Sequence, residues 1–372
     1  MTKSTSFQSV LQSVFPREQL GELLTDIGYL DTARKFKVYD LFLFLAEAAH
    51  QKWSGYRDAE PRLAASGLTP VDHSTLSKKA KDVPFDLFKR LLHLAIEKCS
   101  RTVKRRIGLP KELLLVDSTQ VNVGETRLPW APLHNQKAGV KLHVAFLPEE
   151  HRLHRVTETI SREHDSTHAP SVTDPDFILV ADRAYGKHKR FDAYEEAEKR
   201  QFFVIRLRDN TCFQEVTPRE RKKPWGGSIQ RDFTCRVGSS ATLTQHRFRI
   251  VHLLDPNGKP VILATNLHTH SPERIAEIYR TRWQIEVLFR WVKQHLNVKN
   301  LFGTTPNAVY GQLYTALLSY VLLQFVFKQG SQRVHPSASL TVAQFDRLLK
   351  LNRLPVEWNL YLLHGIEFPE NG

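Results

Sequence analysis

Two short apolar runs each stop at an aspartate. LLLV at 113–116 leads into Asp117, and FILVA at 177–181 leads into Asp182 and the glycine turn of ADRAYG. Unbroken apolar runs of four or five residues read as strands buried on both faces. Such strands need cover above and below, which confines this part of the chain to an α/β sheet. KAGVKLHVAFLP, HRLHRVTETI, QFFVIRLR and PVILATNL supply further strands, and KRFDAYEEAEKR is helical.

Helical periodicity dominates the two ends. Residues 1–105 carry it in VYDLFLFLAEAAHQKW, HSTLSKKA and PFDLFKRLLHLAIEKCSRTVKRR, and it returns over 301–372. SGLTPVDHSTLSKKA has a helix-turn-helix pattern, with Ser74 or Ser77 as cap of a short basic helix. Ordinary helical bundles produce the same pattern, so a DNA-binding domain and a plain bundle both stand. The expected organisation is an N-terminal helical domain (1–105), an α/β domain (106–300) and a C-terminal helical region (301–372). A β-rich insertion at 209–250 interrupts the α/β domain.

The charge has a sign and a location. Across 372 residues, 53 Lys and Arg face 39 Asp and Glu, for a net +14. The first 100 residues carry only +2 of it. Within 206–249 ten Lys/Arg meet four Asp/Glu. A pI near 9.7 points to a polyanionic partner, nucleic acid before membrane. Three cysteines without close pairing, Cys99, Cys212 and Cys235, suit a reduced compartment and give no zinc site. With no signal peptide, and with apolar runs such as LFLFLAEAA judged too short to span a bilayer, the reading is a soluble intracellular protein.

IYRTRWQIEVLFRWVKQHL, residues 278–296, reads as one amphipathic helix, entered through Ser271 as N-cap and Pro272 at its first position. Ile278, Ile285, Phe289, Val292 and Leu296 make the buried stripe. On a regular helix Tyr279, Arg282, Glu286 and Lys293 fall within an arc of roughly 60° beside that stripe. A solvated face with an Arg282–Glu286 pair would explain them. So would a carboxylate that must meet the two strand-end aspartates. Three carboxylates from two strands and a helix form a hard-oxygen donor set suited to a pair of Mg²⁺ ions, and Mn²⁺ is an alternative. Such a pair supports in-line phosphodiester substitution.

The spacing Tyr279-x2-Arg282-x3-Glu286-x6-Lys293 resembles the YREK signature of DDE transposases of the insertion-sequence-four family. VDSTQV and ADRAYG resemble that family's regions around the first two acids, over about residues 110–300. EHDST, with His164 and Asp165, also looks family-like, although a turn would produce it too. The resemblance implies a ribonuclease-H-like mixed sheet with a β-rich insertion and helical flanks. It implies Mg²⁺-binding catalytic roles for Asp117, Asp182 and Glu286, and transposon-end DNA binding by Tyr279, Arg282 and Lys293. It further implies cleavage and strand transfer between inverted-repeat ends and target DNA, by a homodimer assembled on DNA in a bacterial or archaeal cytoplasm. Some members stack a flipped base on an insertion tryptophan, for which Trp225 is the candidate here. The competing readings are a nuclease of the same fold that does not join strands and a non-catalytic DNA-binding derivative. A glycosidase using paired carboxylates is disfavoured by the basic surface.

Overall fold

The computed structural model describes residues 7–99, 109–133, 135–219, 227–296, 300–364 and 366. The chain forms two compact units, one from 1–102, 126–129 and 289–372, the other from 103–125 and 130–288.

The first unit begins with helices α1 (Phe7–Val14), α2 (Arg17–Asp26), α3 (Val38–Gln51), α4 (Tyr56–Ala59), α5 (His73–Asp82) and α6 (Phe85–Lys98). The basic helix α5 is capped by neither serine that the sequence suggested. Asp72 caps it, accepting from the backbone N–H groups of Ser74 and Thr75. A carboxylate is the stronger acceptor and also sits at the positive end of the helix dipole.

In the second unit β1 (Leu113–Gly124), β2 (Pro132–Leu133), β3 (Lys137–Leu147) and β4 (Arg152–Ile160) precede α7 (Asp165–Val172). β5 (Ile178–Ala181), α8 (His188–Glu196) and β6 (Phe203–Arg206) follow. The core order is β4-β3-β1-β5-β6, with β3 alone antiparallel to its neighbours, a ribonuclease-H-like arrangement. Strands β7 (Phe213–Pro218), β8 (Ile229–Val237) and β9 (Phe248–Leu254) of the insertion pair in sequence. They join β6 through β10 (Pro260–Thr265), so the ten strands among the described residues make one sheet.

One apolar layer runs beneath α7 and α8 from β1 to the insertion, including Leu114, Val116, Ala181, Phe191, Ile205, Phe233 and Phe248. Phe191 of α8 stacks on Phe203 at 4.7 Å and meets Phe248 edge-on at 5.6 Å. Truncating a buried ring of this kind to alanine typically costs about 3–5 kcal/mol.

Helix α9 (Pro272–Arg280) packs against β5, β6, β8 and β9 with Ile275, Ala276 and Ile278 buried. None of those three belongs to the layer under α7 and α8, so α9 covers the other face. Arg249, 1% exposed, holds the approach to α9. It makes a two-pronged contact with Asp232 at 2.8 and 2.7 Å and donates to the carbonyls of Leu267 and His270.

Helix α10 (Trp283–His295) follows and passes into the first unit. There α11 (Pro306–Gly330), α12 (Val342–Lys350) and α13 (Val356–His364) complete the bundle. α11 packs against α3, α5, α6, α12 and α13. By length and composition it is long and apolar enough to cross a membrane, which corrects the expectation that every apolar run is too short. Its most apolar stretch is 94% buried, so its apolar character is that of a core helix.

Candidate active site

Sheet register brings the two aspartates level. The parallel pairing of β1 with β5 ends at Val116 opposite Ala181, and Asp117 and Asp182 are each the next residue. Adjacent strands lie about 4.8 Å apart, so the side chains emerge side by side where the ladder opens. Asp182 ends its strand as expected. Asp117 does not, because β1 continues to Gly124, paired there with β3 alone. Val116 and Ala181 face the layer under α7 and α8, so alternation turns both aspartates to the face that α9 covers.

The helical element brings the third acid, with a change from the sequence expectation. Residues 272–295 are two helices, not one. Through the junction the N–H groups of Arg282, Gln284 and Ile285 bond three residues back, to Tyr279, Thr281 and Arg282, at 2.9–3.1 Å. This tightened turn ends α9 just after Tyr279 and starts α10 just before Glu286. The even arc expected of one regular helix is therefore interrupted.

Arg282, in the junction, does more than pair with Glu286 one turn on. One nitrogen of its guanidinium lies 3.2 Å from Asp117 Oδ2, and the other contacts Glu286 Oε1. The Tyr279 hydroxyl donates to Asp182 Oδ1 at 3.4 Å. The five residues form one network in which a single cation sits among three acids. Their side chains are largely withdrawn from solvent, at 22% exposure for Asp117, 15% for Arg282 and 32% for Glu286. A solvated stripe would not show these values.

Burial pushes the Asp117 carboxyl up to about 6. The Ser118 N–H and Arg282 oppose that shift, while Asp182 and Glu286 add to it. Burial also works against the charge on Arg282, but Tyr279, Glu286 and Asp182 outweigh it and raise its pKa. Burial, then Asp182, raises the Tyr279 phenol, which stays a donor.

Arg206 was overlooked as a site residue. It follows Ile205, the partner of Ala181, so it stands at the level of Asp117 and Asp182 on the next strand and faces the same side. Its charge is felt at the Tyr279 hydroxyl, and its Nε is buried with no hydrogen-bond partner among the described residues. In the sequence it is one of the ten cations of the basic stretch 206–249. Several cations of that stretch are engaged internally: Arg249 with Asp232, and Arg236 and Arg247 with Glu215.

Lys293 lies in the part of α10 that belongs to the helical unit and is half-buried there. Trp225 falls outside the described residues. Among the described residues no three acids, histidines or cysteines already stand as a ready group for a metal ion. The Arg282 guanidinium bridges Asp117 and Glu286 instead. In kind, three partly buried carboxylates with a strongly raised Asp117 suit a hard divalent cation.

The family model for the transposase DDE domain matches residues 108–322. The chain is 41% identical over 358 residues to a probable transposase for insertion sequence element IS5377 of Geobacillus stearothermophilus, covering 96% of this chain and 94% of that one. It is 26% identical to a putative transposase for insertion sequence element IS4SA of Synechocystis sp., covering 81% and 83%. Among solved structures, a piggyBac transposase synaptic complex with hairpin DNA superposes with a TM-score of 0.53 at 13% identity. That match covers 97% of this chain and 82% of the other, a likeness of fold.

Proposed function

This chain belongs to the DDE transposases of the insertion-sequence-four family, and we propose that it binds inverted-repeat DNA ends, cuts them and joins them to target DNA. Asp117, Asp182 and Glu286 would hold Mg²⁺, for which Mn²⁺ can substitute. When bound, such ions activate the attacking oxygen and stabilise the leaving one.

The observation that carries this reading is the bridge from Asp117 through Arg282 to Glu286, with Asp182 level with Asp117 in the sheet. A structural ion pair would need one carboxylate, whereas here two, Asp117 and Glu286, bind one cation and a third, Asp182, stands beside them under the Tyr279 hydroxyl. Arg282 neutralises that excess and is the right group for a bidentate grip on a DNA phosphate. Tyr279 donates its hydroxyl at Asp182, and Arg206 adds a second cation at the same level. Lys293 contributes an end-DNA phosphate contact, and the insertion, with Trp225, contacts DNA beside the cut. The protein acts as a homodimer on its DNA. The domain limits are 1–105, 106–300 and 301–372, with the catalytic machinery in the second.

Glu286→Gln tests the reading. It keeps shape and removes the charge needed for a divalent ion. On DNA carrying the element's ends, retarded complexes should persist while Mg²⁺-dependent cleavage falls roughly a hundredfold or more, since even outer-sphere losses at metal sites reach 10–100-fold. Cleavage at the wild-type rate would remove Glu286 from the mechanism. Wild-type cleavage without joined product would favour the nuclease reading.

A further inference from the structure

Behind the acids, at the same sheet edge, lies an open cavity of about 590 Å³. Arg183, Lys187, Lys189 and Arg208 line it and are exposed, and no carboxylate pairs with them among the described residues. Its one acid, Asp165, is held by Lys141 at 2.8 Å, so it is already neutralised. The N-termini of both α7 and α8 open into this space, through His164 and Asp165 and through Lys187 and His188. Two helix N-termini and four unpaired cations converge on one concavity, which favours an anion.

The insertion forms the opposite wall. Gly238 stands at φ +118°, and a Cβ there would lie 2.4 Å from the Thr242 carbonyl oxygen. Its N–H donates to Cys212 O at 2.9 Å, and His188 of α8 bonds to the Thr242 backbone. The wall is thus tied to the core and does not depend on an isolated loop.

The geometry relates this cavity to the acids. Asp117 and Asp182 face the side covered by α9, whereas Lys141 points to the same side as Ala145 and Leu147 of β3, toward the layer under α7 and α8. The boundary between the two sides is one peptide, from Asp182 to Arg183. We infer that this cavity is a second DNA-backbone site, holding a phosphate of the strand that crosses the sheet edge at residues 182–183 with its scissile phosphate at the acids.

The inference rests on the DNA chemistry proposed above, and its test separates the two. The probe is a labelled duplex carrying one end of the element, titrated with wild-type protein from ~50 to ~200 mM salt. The Lys189→Ala/Arg208→Ala double variant should lower the log–log salt slope by about 0.9, the value for one lost phosphate. Its affinity deficit should therefore change roughly 3.5-fold across that range. Combined with Arg282→Ala, the losses should add, because the two sets of residues grip different phosphates. Thermal melting of each variant at the wild-type temperature excludes misfolding, and Lys189→Arg should keep the wild-type slope. If wild-type protein binds and cuts the duplex but the double variant is indistinguishable from it, the cavity inference falls alone. The same holds if the cavity variant is relieved only of binding to inorganic phosphate. If wild-type protein neither binds nor cuts, the transposase chemistry fails and takes the cavity with it.

Discussion

Asp117 stands where a carboxylate is least comfortable, withdrawn from water and facing two other acids, and its pKa rises from 3.8 to about 6. Between those values the folded protein keeps a proton that the unfolded chain has lost. Stability therefore falls as pH rises through this window, and above about 6 the full penalty remains. About two pK units correspond to an upper limit of about 3 kcal/mol. Asp117→Asn removes the penalty and also the Arg282 contact, so the net gain expected near pH 7.5 without divalent ions is about 1–3 kcal/mol. The gain should shrink as pH is lowered from about 6 toward 4, while cleavage is lost. Urea melts at several pH values would measure it, and a less stable variant at pH 7.5 would refute the assignment.

At this scale the sequence was legible where chemistry and spacing coincide. Both aspartates end apolar runs, and Tyr279, Arg282 and Glu286 keep a recognisable interval. Arg206 was not legible, because its place beside Asp182 depends on how β5 and β6 pair across a whole helix. Nothing in QFFVIRLR marks one arginine as facing the acids.

Elements follow local pattern until packing or hydrogen bonding changes the step. The junction at Thr281–Arg282 contains neither proline nor glycine, so periodicity alone reads 272–295 as continuous helix. The tightened turn that redirects Arg282 toward Asp117 leaves no sequence mark. β1 shows the same limit: LLLV announces its first half, but the half beyond Asp117 is held by β3 and alternates weakly. Two glycines show how context reverses one substitution. Gly21, mid-helix in α2 and exposed, has nothing within 4 Å of a built Cβ. Gly21→Ala should stabilise by about 0.5–1 kcal/mol through reduced backbone entropy. Gly330 ends α11 against Trp358, whose ring carbon would lie 2.4 Å from a new Cβ, with Tyr361 at 2.8 Å. Gly330→Ala should cost about 1–3 kcal/mol by overpacking. Thermal melts of both variants provide the comparison, and shifts of the same sign would contradict it.

Over the whole molecule, acid sensitivity should be concentrated in the α/β unit. His143, His154, His188, His252 and His268 all have lowered pKa values, each with burial as the first cause. His143 is fully buried, bonded to Thr159 at 3.0 Å, and lowered from 6.5 to about 4. Between those values the unfolded chain takes up a proton that the folded imidazole refuses, so stability is present above 6.5 and lost on acidification toward 4. This one residue accounts for up to about 3 kcal/mol, opposite in sign to Asp117. His143→Gln should flatten the fall between about pH 6.5 and 4, and an unchanged slope in denaturant titrations would exclude that role.

The bundle built from both ends of the chain has a consequence during synthesis. α3 is buried almost throughout and packs against α11, which begins 255 residues after α3 ends. At about 5–20 residues per second, the ribosome takes roughly ten seconds to a minute to deliver that partner. During that interval the part of α3 that α11 covers waits exposed, although α1 and α5 can already pack on the rest, while the α/β sheet can finish folding in between. The nascent protein is therefore a client for chaperones at its first-made end, and an interrupted message leaves behind a finished sheet with an unsheltered, aggregation-prone leader.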